Sequence, residues 1–261
     1  MHHGVVEAVE QLSPSMVRVV LSGGTLDEFE MVPFTDAYVN AYFPPPSAEL
    51  EVPFDVGGLS EMPDDQRPRP RRFTVRAWDA ERQRLTIDFV AHGDVGFAGR
   101  WAQHAEPGDR LQFRGPGGGF APDAASEWML LVGDESALPA IAASIDAATP
   151  EQRVIVIAVV DGPDCELDLP LSASTEVTWL HRKGAAEPDQ LLVDAVDTLE
   201  LPSGQGDVFV HGEAGETRAV RRLLADRGVD LGSASISPYW RRRHTDEEWR
   251  KVKSQWLAEE A

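Results

Sequence analysis

The sequence predicts an antiparallel β-barrel followed by a doubly wound α/β domain on a parallel sheet, closed by a C-terminal helix. Three observations carry that expectation. The first half holds short runs that alternate apolar with polar residues between Gly, Pro, Asp and Ser clusters. The second half alternates apolar runs with stretches of helical period. Between them lies "PGGGFAPDAAS" at 116–126, rich in chain-breaking residues.

In the first half, "VVEAVEQL", "MVRVVLSG", "AYVNAYFP", "RRFTVRAWD", "RLTIDFVAH" and "DRLQFRGP" read as strands. The segment at 44–70 carries Pro, Gly and Asp and reads as a surface excursion. "GFAGRWAQHAEPGD" reads as a helix stopped at Pro107–Gly108. In the second half the strands are "EWMLLVGDE", "RVIVIAVVD", "EVTWLHR", "GDVFVHGE" and "SASISPYW". The helices are "ALPAIAASIDAA", "PDQLLVDAVDTL" and "GETRAVRRLLADRG". The tail "TDEEWRKVKSQWLAEEA" begins on Thr245, a plausible N-cap, and reads as a last helix. The expected domains are therefore 1–118 (barrel), 119–244 (α/β) and 245–261 (terminal helix).

A chain of 261 residues suits two modest cores. Its net charge of −20 speaks against nucleic acid as a partner, because phosphate backbones call for a basic face. No apolar run approaches the roughly 18 residues of a membrane span, so no stable membrane insertion is expected. "MHHGVVEAVEQL" lacks the basic and apolar regions of a secretory signal, and the expected address is the cytoplasm. The single cysteine, Cys165, excludes an internal disulfide and a cysteine-held cluster; no metal site is expected.

Four stretches carry chemistry. In "RRFTVR", alternation puts Arg72 and Thr74 on one strand face and Phe73 on the other. Cation, ring and hydroxyl would suit a flavin, though standing alone the triplet reads first as an ordinary strand with one exposed arginine. In "DFVAHGDVGFAGRWAQ", His92–Gly93 ends a strand, and Gly96 and Gly99 lead into a helix, where small residues let a phosphate approach backbone amides. In "LLVGDESALPAIAASI", a strand, a turn and a helix make the usual seat for a pyrophosphate, yet Asp134 and Glu135 occupy it with negative charge. In "HGEAGETRAVRRLL" and "SPYWRRRHTDEEW", Glu213 stands at a strand end and three arginines follow Trp240. Those arginines read either as a solvated surface or as an anion trap in an acidic protein.

Taken in order, "RRFTVR", "DFVAHGDVGFAGRWA", "GDESALPAI", "VHGEAGETRAVRRLL" and "PYWRRR" resemble the siderophore-interacting protein family. These are flavin-dependent ferric-siderophore reductases of the wider ferredoxin-NADP reductase-like group. The resemblance implies an FAD-binding barrel of ferredoxin-reductase type. It matches Arg72, Phe73 and Thr74, with Val75, to an Arg-x-Tyr-Thr-like flavin motif, Phe73 standing for tyrosine. It matches His92, Gly93, Gly96, Ala98 and Gly99 to the segment approaching the FAD diphosphate, Gly99 standing for serine. It matches Asp134, Glu135, Ser136 and Ala137 to a stretch near the adenosine. Arg243 stands where a glycine is expected.

The implied activity is reduction of an anionic ferric siderophore, with no catalytic side chain beyond the flavin site. The expected basic pocket is Arg241 and Arg242 first, then Arg67 or Arg69, with Lys183 and Arg114 behind. The electron donor is NADH, NADPH or reduced ferredoxin. Two other readings remain: an NAD(P)H-dependent flavin or ferredoxin reductase, which the carboxylates at 134–135 oppose, and a siderophore-binding module without catalysis.

Overall fold

The computed structural model describes residues 1–45, 47–91, 97–172 and 174–258. Its residues gather into two compact units. One is Met1–Ala121 with Pro139–Ala147 and Asp164–Pro170, and the remainder of the described chain forms the other. The chain thus leaves the first unit three residues past the expected border and contributes two later segments to it.

The first unit is a closed antiparallel barrel of β1 (His2–Ser13), β2 (Met16–Ser22), β3 (Tyr38–Phe43), β4 (Arg69–Asp79), β5 (Arg84–Val90) and β6 (Arg110–Gly117). Around the barrel the order is β1-β2-β5-β4-β3-β6. Strand β1 is long because it closes the ring, pairing with β2 along its length and with β6 through His2–Val5. Register shifts near Val6–Ala8 and Gln11–Ser13 give it the bend that closure needs. The alternation read from the sequence fills the barrel. Val17, Val19, Leu21, Val39, Ala41, Ile87, Phe89 and Phe113 are fully enclosed. Removing a ring such as Phe89 or Phe113 would cost about 3–5 kcal/mol.

The excursion after β3 is pinned to the barrel by a buried amide. Gln112 donates to the Phe54 carbonyl and accepts from the Phe54 N–H, both at 2.8 Å. Helix α1 (Ala98–His104) packs close against the end of β5. A Cβ on Gly99 would stand 3.1 Å from the Val90 carbonyl oxygen and 3.2 Å from the Ala91 Cα. That crowding accounts for glycine where serine was expected.

The second unit is built on a parallel sheet in the order β11-β10-β7-β8-β9. Its strands are β7 (Trp128–Asp134), β8 (Arg153–Val160), β9 (Thr175–His181), β10 (Gly206–Glu213) and β11 (Ser235–Trp240). The unbroken apolar runs of β7 and β8 are buried on both faces, as central parallel strands require. Leu130, Val132, Ile157, Val208 and Val210 share a core with Leu192 and Val196 of α3 (Leu191–Thr198) and with Val220 and Leu224 of α4 (Ala214–Asp226). Helix α2 (Leu138–Ala147) sits in the barrel's unit: Ser144 Oγ donates to Thr35 Oγ1 at 2.8 Å, and Arg76 pairs with Asp146 at 2.7 Å.

Helix α5 (Asp246–Ala258) starts on the expected cap. Thr245 Oγ1 accepts from the Glu248 N–H at 3.2 Å while Glu248 accepts from the Thr245 N–H at 2.7 Å. Trp249 and Trp256 bury against Ala214.

One glycine is indispensable to the sheet. Gly212 has φ of +143°, and a Cβ there would lie 2.6 Å from Asp134 Oδ2. Gly212→Ala should destabilise the protein by about 3 kcal/mol or more, since strained backbone and a displaced buried carboxylate act together. Urea unfolding of the two proteins measures it, and a change below about 1 kcal/mol would show that the strand end relaxes freely.

Candidate functional site

The strand carrying "RRFTVR" has two distinct faces. Pairing with β3 sets Arg71 opposite Ala41 and Phe73 opposite Val39, and both β3 residues point into the barrel. Phe73 packs its ring 4.5 Å from Phe89 and 5.9 Å from Phe43. Val75, on the same side, is fully buried. The outer face carries Arg72 opposite Asn40 and Thr74 opposite Tyr38. Arg72 is exposed, its guanidinium 4.3 Å from the Tyr38 ring centroid. In a motif of Arg-x-Tyr-Thr form one residue separates cation and ring, so the arginine in phase with Phe73 is Arg71.

These residues fit a flavin. Phe73 is only partly buried, leaving ring surface uncovered. Thr74 is largely buried, and its side chain makes no hydrogen bond among the described residues, so its hydroxyl is open to a partner. Ala98 and Gly99 open α1. His92, Gly93 and Gly96 lie outside the described residues.

The carboxyl ends of the parallel strands look different. Asp134 is buried, and every bond it accepts comes from inside the unit. Its Oδ1 takes the Ser136 N–H at 2.9 Å and the Ser136 hydroxyl at 2.5 Å. Its Oδ2 takes the Glu213 N–H at 2.9 Å and the Trp240 indole N–H at 2.7 Å. It therefore ties the ends of β7, β10 and β11 and organises the turn before α2, rather than capping the helix itself. Glu135 is buried beside Arg182, whose Nη1 reaches its oxygens at 2.6 and 2.8 Å and Asp161 at 3.3 Å. Burial raises the Glu135 carboxyl above its ordinary range, against the pull of Arg182. Ala137 is fully buried.

Glu213 caps α4, its Oε2 accepting from the Gly215 and Glu216 N–H groups at 2.6 and 3.1 Å. Its Oε1 accepts the Arg242 N–H at 3.1 Å. The Arg242 guanidinium meets Glu216 at 2.5 Å, Asp189 at 3.2 Å and Glu213 at 3.6 Å. The seat where a dinucleotide diphosphate would rest is thus a closed lattice of charges. Sequence reading saw the carboxylates but missed Arg182 and the tether of Trp240, which sit 47 and 106 residues away from their partners.

Comparison with known proteins assigns both halves. Residues 5–120 match the siderophore-interacting FAD-binding domain, and residues 126–243 match the siderophore-interacting protein model. The chain is 40% identical over 278 residues to the uncharacterized protein Rv2895c of Mycobacterium tuberculosis, covering 100% of this chain and 97% of that one. It is 30% identical to the ferric vibriobactin reductase ViuB of Vibrio cholerae, covering 95% and 92%. The chain belongs to the siderophore-interacting protein family.

Its identity to the NADPH-dependent ferric-chelate reductase of Escherichia coli is 29%, covering 89% of each. The structure of the siderophore-interacting protein SipS from Aeromonas hydrophila superposes with a TM-score of 0.82 at 30% identity, covering 98% and 97%. A ferredoxin reductase of carbazole 1,9a-dioxygenase, TM-score 0.66 and 18% identity over 92% and 69%, shares the fold. This member of the siderophore-interacting protein family is accordingly a flavin-binding oxidoreductase with a barrel of ferredoxin-reductase type.

The family's expected basic pocket is only partly assembled. Arg242 is engaged by carboxylates, as described. Arg67 donates to the carbonyls of Ser60 and Met62 and pairs with Asp64, which also meets Arg69 at 3.4 Å. Arg241, Lys183 and Arg114 have no side-chain partner among the described residues. Arg241, Arg242 and Arg243 line a cavity of about 530 Å³ with Arg218, Glu216 and Trp256, all within the α/β unit. Arg243 adopts a φ of +61°, which explains why glycine was expected there.

Burial pushes the Glu216 carboxyl up to about 7, outweighing the attraction of Arg242. The native state then holds a proton that the unfolded chain, titrating near 4.5, gives up earlier. Stability attributable to this group should fall as pH rises from about 4.5 to about 7 and stay level above. Urea midpoints measured across that window should decline less for Glu216→Gln than for the parent, and parallel profiles would refute the assignment.

Proposed function

We propose that the protein is an FAD-dependent reductase of ferric siderophores that releases iron as Fe(II) in the cytoplasm. The observation that carries this reading is the β4 site, where Arg71 and a half-covered Phe73 share one face and the Thr74 hydroxyl stands on the other. The flavin-domain match and the kinship with a named ferric vibriobactin reductase support it.

A siderophore grips Fe(III) through hard oxygen donors, and one added electron yields Fe(II), which such donors hold less tightly. Bound FAD would supply that electron, because a flavin stores a pair and can release it singly. The chain's own part is binding and orientation. Arg71 holds a diphosphate, Phe73 offers an apolar surface to a flat ring, and Thr74 donates its hydroxyl to a ring acceptor. No proton need be delivered to the metal for the electron to move.

The donor is NADH, NADPH or reduced ferredoxin. Whichever serves, it does not lay a diphosphate against the turn after β7, because Asp134 and Glu135 already fill that seat with paired negative charge. The kinship with an NADPH-dependent reductase supports a nicotinamide donor held elsewhere. Among the described residues no helix is long and apolar enough to cross a membrane.

The purified protein should be yellow. Reduced anaerobically, it should be reoxidised by a ferric trihydroxamate far faster than free reduced flavin is; equal rates would sink the reading. Arg71→Ala should release most of the FAD on dialysis, whereas full retention would remove Arg71 from the site.

A further inference from the structure

Four aromatic rings close a cycle within the barrel unit. Phe73 of β4 meets Phe89 of β5 at 4.5 Å between ring centroids and Phe43 of β3 at 5.9 Å. Trp101 of α1 meets the same two rings at 5.7 and 5.6 Å. Phe73 and Trp101 therefore stand at opposite corners and are joined twice over. Around the cycle the rings are inclined to one another by 47° to 80°, the tilted and edge-on packing that ring quadrupoles favour. A contact between Phe43 and Phe89, 6.3 Å apart at 86°, braces it across the middle.

The corners differ in burial. Phe43 and Phe89 are enclosed, whereas Phe73 and Trp101 each keep part of their surface open. The enclosed pair is a stiff bridge between the two open rings, because a close-packed interior passes a displacement on rather than absorbing it. Trp101 is held firmly at its end of the bridge. Ala98 and Ala102, one turn apart on α1, both join the barrel core, and a Cβ on Gly99 would already stand 3.1 Å from the Val90 carbonyl oxygen. Phe73 has less to fix it. It lacks the phenolic hydroxyl that an Arg-x-Tyr-Thr pattern would supply, so no hydrogen bond sets the plane of its ring and its neighbours must.

We propose that Trp101 is a positioning residue for the flavin, setting the tilt of Phe73 through Phe43 and Phe89. The proposal rests on the placement of Phe73 against the flavin ring argued above, and it adds a residue that acts on the cofactor at one remove. A flat ring laid on Phe73 takes up the angle that Phe73 presents, since aromatic pairs have preferred offsets and inclinations. Helix α1 and the flavin ring are thereby coupled, and a shift of the helix is felt at the ring.

The visible circular dichroism of the bound flavin tests this, because it reads the surroundings of the ring and not the stability of the fold. Trp101→Leu should weaken FAD about fivefold and cut the visible band to about half or less of the parental one. Phe73→Leu should do the same. The double variant should bind FAD within about twofold of either single variant, since both act through one set of contacts. Trp101→Phe keeps a ring and should fall between the parent and Trp101→Leu. Should Trp101→Leu not fold, Trp101→Met takes its place, filling the gap without a ring.

An unchanged band in the ringless variant, or losses that multiply in the double variant, overturns the role whatever happens to the urea midpoint. If ferric chelates reoxidise the reduced parent while the band is indifferent to Trp101, the positioning role fails and the reductase reading survives. If band and affinity follow the expected pattern but no ferric chelate reoxidises the reduced protein, the reductase reading fails and the positioning role stands.

Discussion

The carboxylate of Asp134 is the point on which the α/β unit turns. A charge removed from water must be met by donors on nearly all its lone pairs, and here the donors come from Ser136, Glu213 and Trp240. Satisfying that demand fixes where three strands end and how the chain departs from each of them. It also dictates Gly212, since any side chain at that position would occupy the space of the carboxylate. From Trp240 the chain runs directly into Arg241–Arg243, so the placement of the arginines follows from a bond made to the end of the central strand β7.

The same demand explains what the crevice is not for. In open parallel sheets the region beyond the strand ends collects ligands because helix N-termini leave their amides and positive dipoles unanswered. Here the amides at the start of α4 are answered by Glu213, and the turn before α2 by Asp134. Glu135 with Arg182 and Glu216 with Arg242 complete a lattice whose donors and acceptors answer one another while acids outnumber cations. An anionic guest would have to displace these carboxylates one by one.

Much of this was legible in the residues themselves. Alternation marked the barrel strands, unbroken apolar runs marked β7 and β8, and Thr245 with Glu248 marked the last helix, because each is a local pattern imposed by local geometry. The motif order identified the family and its flavin domain. What the chain hid was pairing over distance. Nothing near Glu135 announces Arg182, and nothing near Gln112 announces that its amide will bridge Phe54. Strand phase was equally deceptive at "RRFTVR": adjacent arginines look alike in a string, yet one shares a strand face with Phe73 and the other lies over Tyr38. Among the expected substrate arginines, Arg67 and Arg242 turned out to hold the protein together, a role that depends on neighbours brought by folding.

Closure of the barrel has one more outcome. Every strand of that unit has a neighbour on each side, so it offers no border where a foreign strand could attach. The parallel sheet does have borders, β11 and β9, and each is blunted. Pro238 withholds a backbone donor in the middle of β11, and β9 places the charged Glu176 among its outward residues, paired with Arg153. Copies of this protein crowded together are thereby discouraged from zipping into continuous β-structure.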